Sequence, residues 1–308
     1  MYYNAYWNQQ ANYLYQIARI PVHERWLLNR LFRIRGIFHT LNDRRGGGSF
    51  GSVWAATRAD GRRVAVKVFN LNQTRNLQGL LALAKSFQDE IRMSYKMRFS
   101  TSHVVTVYGF DLDLRRRVGL VSMELGDDSL EERVRTLHMM YYSPNGRGMI
   151  DGEFIAPVDR KNIWFQIVNI ALELVRHKVV HRDIKPANLV FFGPILKIVD
   201  LGIAQKEFAA YNSRRVGGTP FYSGPECIFG QFPVTPKADV WSIGAVLYFL
   251  TYGVPPAYWN STPPPGVSLS RSLPVQEVLY HTLQQNPNAR PWQYQLAQHP
   301  LTANPEVF

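Results

Sequence analysis

The sequence predicts an α+β protein in which a small β-rich portion precedes a larger helical one. Three observations carry this reading. Short runs of β-branched and aromatic residues, split by glycine and turn residues, fill the chain from about residue 32 to 123. One long helical stretch, about 76–98, interrupts them. After residue 124 helical patterns dominate instead.

Residues 1–31 form an extension rich in Tyr, Asn and Gln. Tyr3, Tyr6, Trp7, Leu14 and Ile17 recur there at roughly helical spacing, which predicts one amphipathic helix packed on the body of the protein, with partner binding as the alternative. The strand-like runs are 32–41, 52–57, 63–69, 104–110 and 117–123, and with the helix they make residues 32–123 a small sheet carrying one long helix. In residues 124–308 helices are expected over about 129–141, 160–177, 237–252 and 274–285. The stretch 142–157 is turn-rich and reads as an exposed loop, as does the Pro-rich segment 254–274.

The 308 residues are 46% apolar and 19% charged, enough to bury a full core. The single cysteine, Cys227, excludes an internal disulfide and a Cys-based zinc site and fits a reducing compartment. No run of about 18 apolar residues occurs, so no transmembrane segment is expected. An intracellular protein, cytoplasmic or nuclear, follows as the expectation. The net charge of +12 is uneven: residues 1–122 hold 19 basic and 7 acidic side chains, and the remainder holds 16 of each. Such a basic portion could attract an acidic protein, an anionic membrane or a nucleic acid; a solvated face without a partner is the plain alternative. Arg115, Arg116 and Arg117 are expected on an exposed strand turn.

Seven motifs carry chemistry. Gly46-Gly47-Gly48-Ser49-Phe50-Gly51-Ser52-Val53 fits G-x-G-x-x-G-x-V between two strands, where glycines let backbone amides approach phosphates. Taken alone it could be only a turn. Val64-Ala65-Val66-Lys67 places a lysine in an apolar strand, either reaching solvent at the strand end or meeting a carboxylate and ATP phosphates. His181-Arg182-Asp183-Ile184-Lys185-Pro186-Ala187-Asn188 is the strongest signal. Asp183 can accept or orient a substrate hydroxyl proton, Lys185 can offset the charge of a transferring phosphoryl group, and Asn188 can ligate Mg²⁺. Asp200-Leu201-Gly202 follows Asn188 at a strand end, where a carboxylate is a natural Mg²⁺ ligand. The other three are G-T-P-F-Y-S-G-P-E (218–226), A-D-V-W-S-I-G (238–244) and N-P-N-A-R-P (286–291).

These motifs, in this order, resemble the eukaryotic protein kinase family from about residue 32 to 300. The resemblance implies a bilobal fold with a β-rich N-lobe (32–123), a helical C-lobe (124–308) and ATP with Mg²⁺ as the cofactors. It implies roles residue by residue. Gly46, Gly48 and Gly51 would cover the phosphates, and Val53 would pack on adenine. Lys67 would contact the α/β-phosphates, paired with Glu90 or, second, Asp89. Asp183 would be the base or orienter, with Asn188 and Asp200 holding the metal. Glu124, Leu125 and Gly126 would form the hinge, with Met123, or Ser122 if the register slips by one, guarding the back pocket. Glu226 and Arg290 would be a buried ion pair, and Asp239 would brace the catalytic loop. Lys185 and the G-T-P-F-Y pattern resemble serine/threonine kinases, so the expected acceptors are Ser and Thr hydroxyls of protein substrates. M-E-L-G (123–126), K-P-A-N-L-V (185–190), I-L-K-I-V-D-L-G-I-A (195–204) and V-L-Y-F-L-T-Y-G (246–253) also resemble the dual-specificity monopolar-spindle checkpoint kinases.

Departures from the family pattern are Leu201 for Phe, Gly224 for Ala, and Ser94 where a large apolar residue is usual. The segment between the last two long helices is short, so a substrate-docking helix there is expected to be reduced. The rival reading is a pseudokinase or scaffold, but such proteins usually lose the equivalents of Lys67, Asp183 or Asp200, and all three stand here. The activation segment, Asp200 to Glu226, offers Tyr211, Ser213, Thr219, Tyr222 and Ser223 as phosphate acceptors, with Ser213 beside Arg214 and Arg215 preferred.

Overall fold

A computed structural model describes residues 18–48, 51–72, 76–100, 102–141, 153–206, 217–257 and 261–303. The chain divides into two compact units, one running to Ile91 and including Thr106–Leu125, the other made of Arg92–Val105 and the chain from Gly126 onward. The division differs from a single cut after residue 123. Met93, Met97 and Val104 are buried in the core of the second unit, which draws residues 92–105 to it. The helix expected in the first 17 residues lies outside the described residues.

The first unit is a six-stranded antiparallel sheet. Its strands are β1 (Leu31–Ile34), β2 (Ile37–Gly48), β3 (Gly51–Arg58), β4 (Arg63–Asn70), β5 (Val107–Asp113) and β6 (Val118–Met123), in the order β1-β2-β3-β4-β6-β5. The single run expected over 32–41 is split at Arg35 and Gly36, both at positive φ, which turn the chain back on itself. Alternation then sorts the side chains. Trp54, Ala56, Val64, Val66, Val68, Val118 and Leu120 fill one buried cluster with Phe32, Ile34 and Leu41. Ile20 and Leu27, flanking and ending a 3₁₀ turn over Val22–Leu27, complete it.

On the opposite sheet face Phe69 meets Phe87 of helix α1 (Leu77–Lys96) edge-on, ring centres 5.3 Å apart. Gly119, the partner of Phe69 across the ladder, admits that ring; a Cβ there would stand 2.9 Å from it. Arg115, Arg116 and Arg117 occupy the exposed β5–β6 turn, where Arg116 pairs with Asp113 at 2.9 Å.

The second unit is helical. Helix α2 is Leu130–Tyr141, α3 Pro157–Arg176, α4 Pro225–Phe229, α5 Lys237–Tyr252, α6 Leu273–Thr282, α7 Gln293–Gln298 and α8 Pro300–Ala303. Every residue of α5 is buried, so its apolar character all round marks the centre of the core. Two short antiparallel pairs join β7 (Val179–Val180) to β10 (Gln205–Lys206) and β8 (Leu189–Phe192) to β9 (Ile195–Ile198). Among the described residues no helix separates α5 from α6, and none is long and apolar enough to cross a membrane.

Ser94 lies in the last turns of α1, is 8% exposed, and its hydroxyl has no hydrogen-bond partner among the described residues. A buried unpaired hydroxyl costs stability, and alanine is the better helix former. Ser94→Ala is therefore expected to raise stability by about 1 kcal/mol. The midpoint of urea unfolding checks this; a lower midpoint would show that the hydroxyl is bonded.

Candidate active site

In the first unit the glycine-rich strands close in register, with Gly46 opposite Val53, Gly47 opposite Ser52 and Gly48 opposite Gly51. Gly51 has φ +153°, and a Cβ on it would run into the Val68 carbonyl, so only glycine fits. Val53 pairs with Lys67, Lys67 with Val121, and Ala65 with Met123. Directly opposed residues share a sheet face, so Val53, Ala65, Lys67, Val121 and Met123 line one surface. Ser122 points the other way and bonds His39 Nε2 at 3.1 Å. The register therefore puts Met123, not Ser122, on the Lys67 side.

Lys67 Nζ donates to Glu90 Oε2 at 2.8 Å, with the two side chains 5% and 1% exposed. Phe87 and Glu90 are three residues apart on α1, as Lys67 and Phe69 are two apart on β4. Docking Phe87 on Phe69 thus carries Glu90 onto Lys67. Asp89, the alternative, is left off this face and is only half-buried. The Glu124 carboxylate accepts from the Thr106 backbone N–H at 2.6 Å, while its own N–H donates to the Thr106 carbonyl, leaving Leu125 partly exposed at the end of this unit.

In the second unit the segment His181–Asn188 is held from below by α5. Asp239, in the first turn of that helix, accepts from the backbone N–H of His181 at 2.8 Å and of Arg182 at 2.9 Å. Burial pushes the Asp239 carboxyl above its ordinary value, opposed by His181 and Arg182. Arg182 takes φ +71°, a strained turn that these bonds fix in place.

The loop presents Asp183 to three donors. Its Oδ1 accepts from Thr219 Oγ1 at 2.6 Å, and its Oδ2 lies 2.9 Å from Lys185 Nζ and 3.1 Å from Asn188 Nδ2. Lys185 also donates to Thr219 Oγ1 at 2.7 Å. Asn188 Nδ2 donates again to the Asp183 carbonyl at 2.9 Å, so its amide nitrogen is committed and its oxygen remains a ligand donor. The Val199 N–H donates to the Asn188 carbonyl at 2.9 Å and sets the next residue, Asp200 (φ +62°), just beyond Asn188. Leu201 is fully buried, as an apolar residue after the aspartate should be.

Ser223 is a positioning group that sequence reasoning missed, having been taken for a phosphate acceptor. It is fully buried, accepts from the Thr219 N–H at 2.9 Å and donates to the Arg182 carbonyl at 3.0 Å. Gly218, at φ +125°, leaves room for it. Only its fixed place in the motif could have signalled this. Thr219 is likewise engaged, and burial drives the Tyr222 phenol above its usual range. Tyr211, Ser213, Arg214 and Arg215 lie outside the described residues.

Glu226 and Arg290 form a two-pronged ion pair at 2.6 and 2.9 Å with both side chains fully buried. A Cβ on Gly224 would come within 2.6 Å of the Glu226 carboxylate. Burial pushes the neighbouring Cys227 thiol up to about 12, which makes it unreactive.

The protein kinase domain family matches residues 40–302. The dual specificity protein kinase TTK of Mus musculus is 24% identical over 242 residues, 74% of this chain and 26% of that protein. The serine/threonine-protein kinase chk-2 of Caenorhabditis elegans is 27% identical, covering 71% of this chain and 44% of the relative. The carbon catabolite-derepressing protein kinase of Candida tropicalis is 30% identical, covering 73% and 32%. The chain thus spans between a quarter and a half of the length of these relatives. The family match over residues 40–302, most of the chain, shows that the chain belongs to the protein kinase domain family.

Proposed function

We propose that the chain is a catalytically competent kinase that transfers the γ-phosphoryl group of ATP to Ser and Thr hydroxyls of protein substrates. The observation that carries the reading is the hydrogen-bonded set around Asp183, in which Thr219, Lys185 and Asn188 all point donors at one carboxylate. Three donors fix the direction of the Asp183 carboxylate, placed to orient or accept a hydroxyl proton. Lys185 lies close enough to balance charge on the group being transferred. Lys67, kept in place by Glu90, contacts the α/β-phosphates, and the glycines at 46, 48 and 51 offer backbone amides over them. Val53 packs on adenine, Met123 guards the back pocket, and Glu124 and Leu125 supply backbone groups to the base.

The residues present fit Mg²⁺. It asks for one or two carboxylates, with phosphates and waters completing an octahedron. Asp200 supplies a carboxylate and Asn188 an amide oxygen freed by the commitment of its nitrogen. When bound, the metal held by Asp200 and Asn188 would help neutralise the charge that develops on the transferring phosphoryl group.

Lys185 bound to Thr219 supports Ser and Thr as acceptors. Phospho-amino-acid analysis after reaction with radiolabelled ATP and mixed peptide substrates is expected to show mainly phosphoserine and phosphothreonine. Phosphotyrosine as the main product would overturn the specificity, and ATP binding without any turnover would leave the scaffold reading.

A further inference from the structure

Glu24 lies before the region matched by the family, yet it is only 3% exposed. Carboxylates are almost never so buried unless paired. The turn that carries it is anchored by Ile20 and Leu27 in the sheet core, and Trp26 packs edge-on against Phe32, ring centres 6.3 Å apart. From there Glu24 Oε2 accepts from Arg44 Nε at 2.6 Å.

Arg44 sits on β2 at a register shift, two residues before Gly46. Its guanidinium lies over Gly47, where an added Cβ would run into it. A cavity of about 620 Å³ adjoins, lined by Glu24, Arg44, Gly47 and Asn70 among others, so packing alone does not hold the arginine. Three consecutive glycines have no side chains of their own to order the strand, and glycine loses the most freedom on ordering. The guanidinium supplies the missing contact, and the Glu24 carboxylate fixes the guanidinium.

We propose that Glu24 is a positioning residue for nucleotide: through Arg44 it clamps the strand Gly46–Gly48 from a segment outside the family domain and so sets the affinity for ATP. The proposal rests on the reading that this strand covers the phosphates. A strand ordered in advance pays less of its entropy on binding.

The test is titration of the intact chain with a non-hydrolysable ATP analogue, which needs no turnover. Glu24→Ala and Arg44→Ala are each expected to raise Kd about fivefold or more. Combining them should add nothing further, because each breaks the same contact. KM for a protein substrate should stay within about twofold, which separates the clamp from general loosening. If a single variant fails to fold, the double variant, which leaves no unpaired buried charge, and Gly47→Ala, which displaces the guanidinium, are each expected to raise Kd likewise. An unchanged Kd in the variants that fold, or additive effects in the double, overturns the clamp. Wild-type protein that binds the analogue but transfers nothing overturns the catalytic reading while the clamp stands. Wild-type protein that binds no nucleotide overturns both.

Discussion

Asp183→Asn is expected to lower turnover by about a thousandfold while leaving the fold and nucleotide affinity nearly intact, the loss typical of removing a positioned acid–base group. The geometry explains why structure should survive. An amide at 183 can turn its oxygen toward Lys185 and Asn188, where Oδ2 now lies 2.9 and 3.1 Å from their nitrogens. Its NH₂ then faces Thr219, whose hydroxyl can rotate to accept. What the variant loses is the capacity to take or steer a proton. Steady-state kcat on a Ser/Thr peptide, the Kd of a non-hydrolysable ATP analogue and the melting temperature together check this. Near wild-type kcat in a purified sample would show that Asp183 has been given the wrong role.

Breaking the Glu226–Arg290 pair should have the largest effect on stability. The guanidinium also donates to the carbonyls of Lys237 at 2.9 Å and Gln284 at 2.8 Å, so it ties the segment ending at Glu226 to α5 and to the turn after α6. Arg290→Leu strands a fully buried carboxylate without a cation, which costs about 3–5 kcal/mol. The double variant Glu226→Gln/Arg290→Leu removes the stranded charge and is expected to regain part of that loss. Urea unfolding of both checks the order. Because the pair is sealed from solvent, the difference should change little between low and physiological salt. A single variant as stable as the wild type would mean that water or a rearranged cation reaches Glu226.

The motif residues were legible because their chemistry depends on local spacing. Asp183, Lys185 and Asn188 lie within six residues of one another, and the loop that presents them needs only one positive-φ residue and two bonds from Asp239. Most strands and the long helices were legible through alternation and helical periodicity, to within a few residues at their ends, and α5 matches the expected 237–252; the run expected over 32–41 is instead two strands, the second reaching Gly48. Sequence left pairs of candidates open wherever the choice depended on which face a side chain takes. Glu90 over Asp89 follows from Phe87 docking on Phe69, and Met123 over Ser122 from the register of β4 with β6.

By itself, then, the sequence determined the family's motifs, the order of elements and the identity of the ionisable groups, because each is written in neighbouring residues or in a short period. Only the tertiary structure decided how distant residues meet. It paired Glu24 with Arg44, twenty residues apart, seated Ser223 between Thr219 and Arg182, and set Gly224 close against the Glu226 carboxylate. The physical reason is the same in each case: burial obliges a polar group to find a partner, and which partner is in reach is set by packing between segments, not by spacing along the chain.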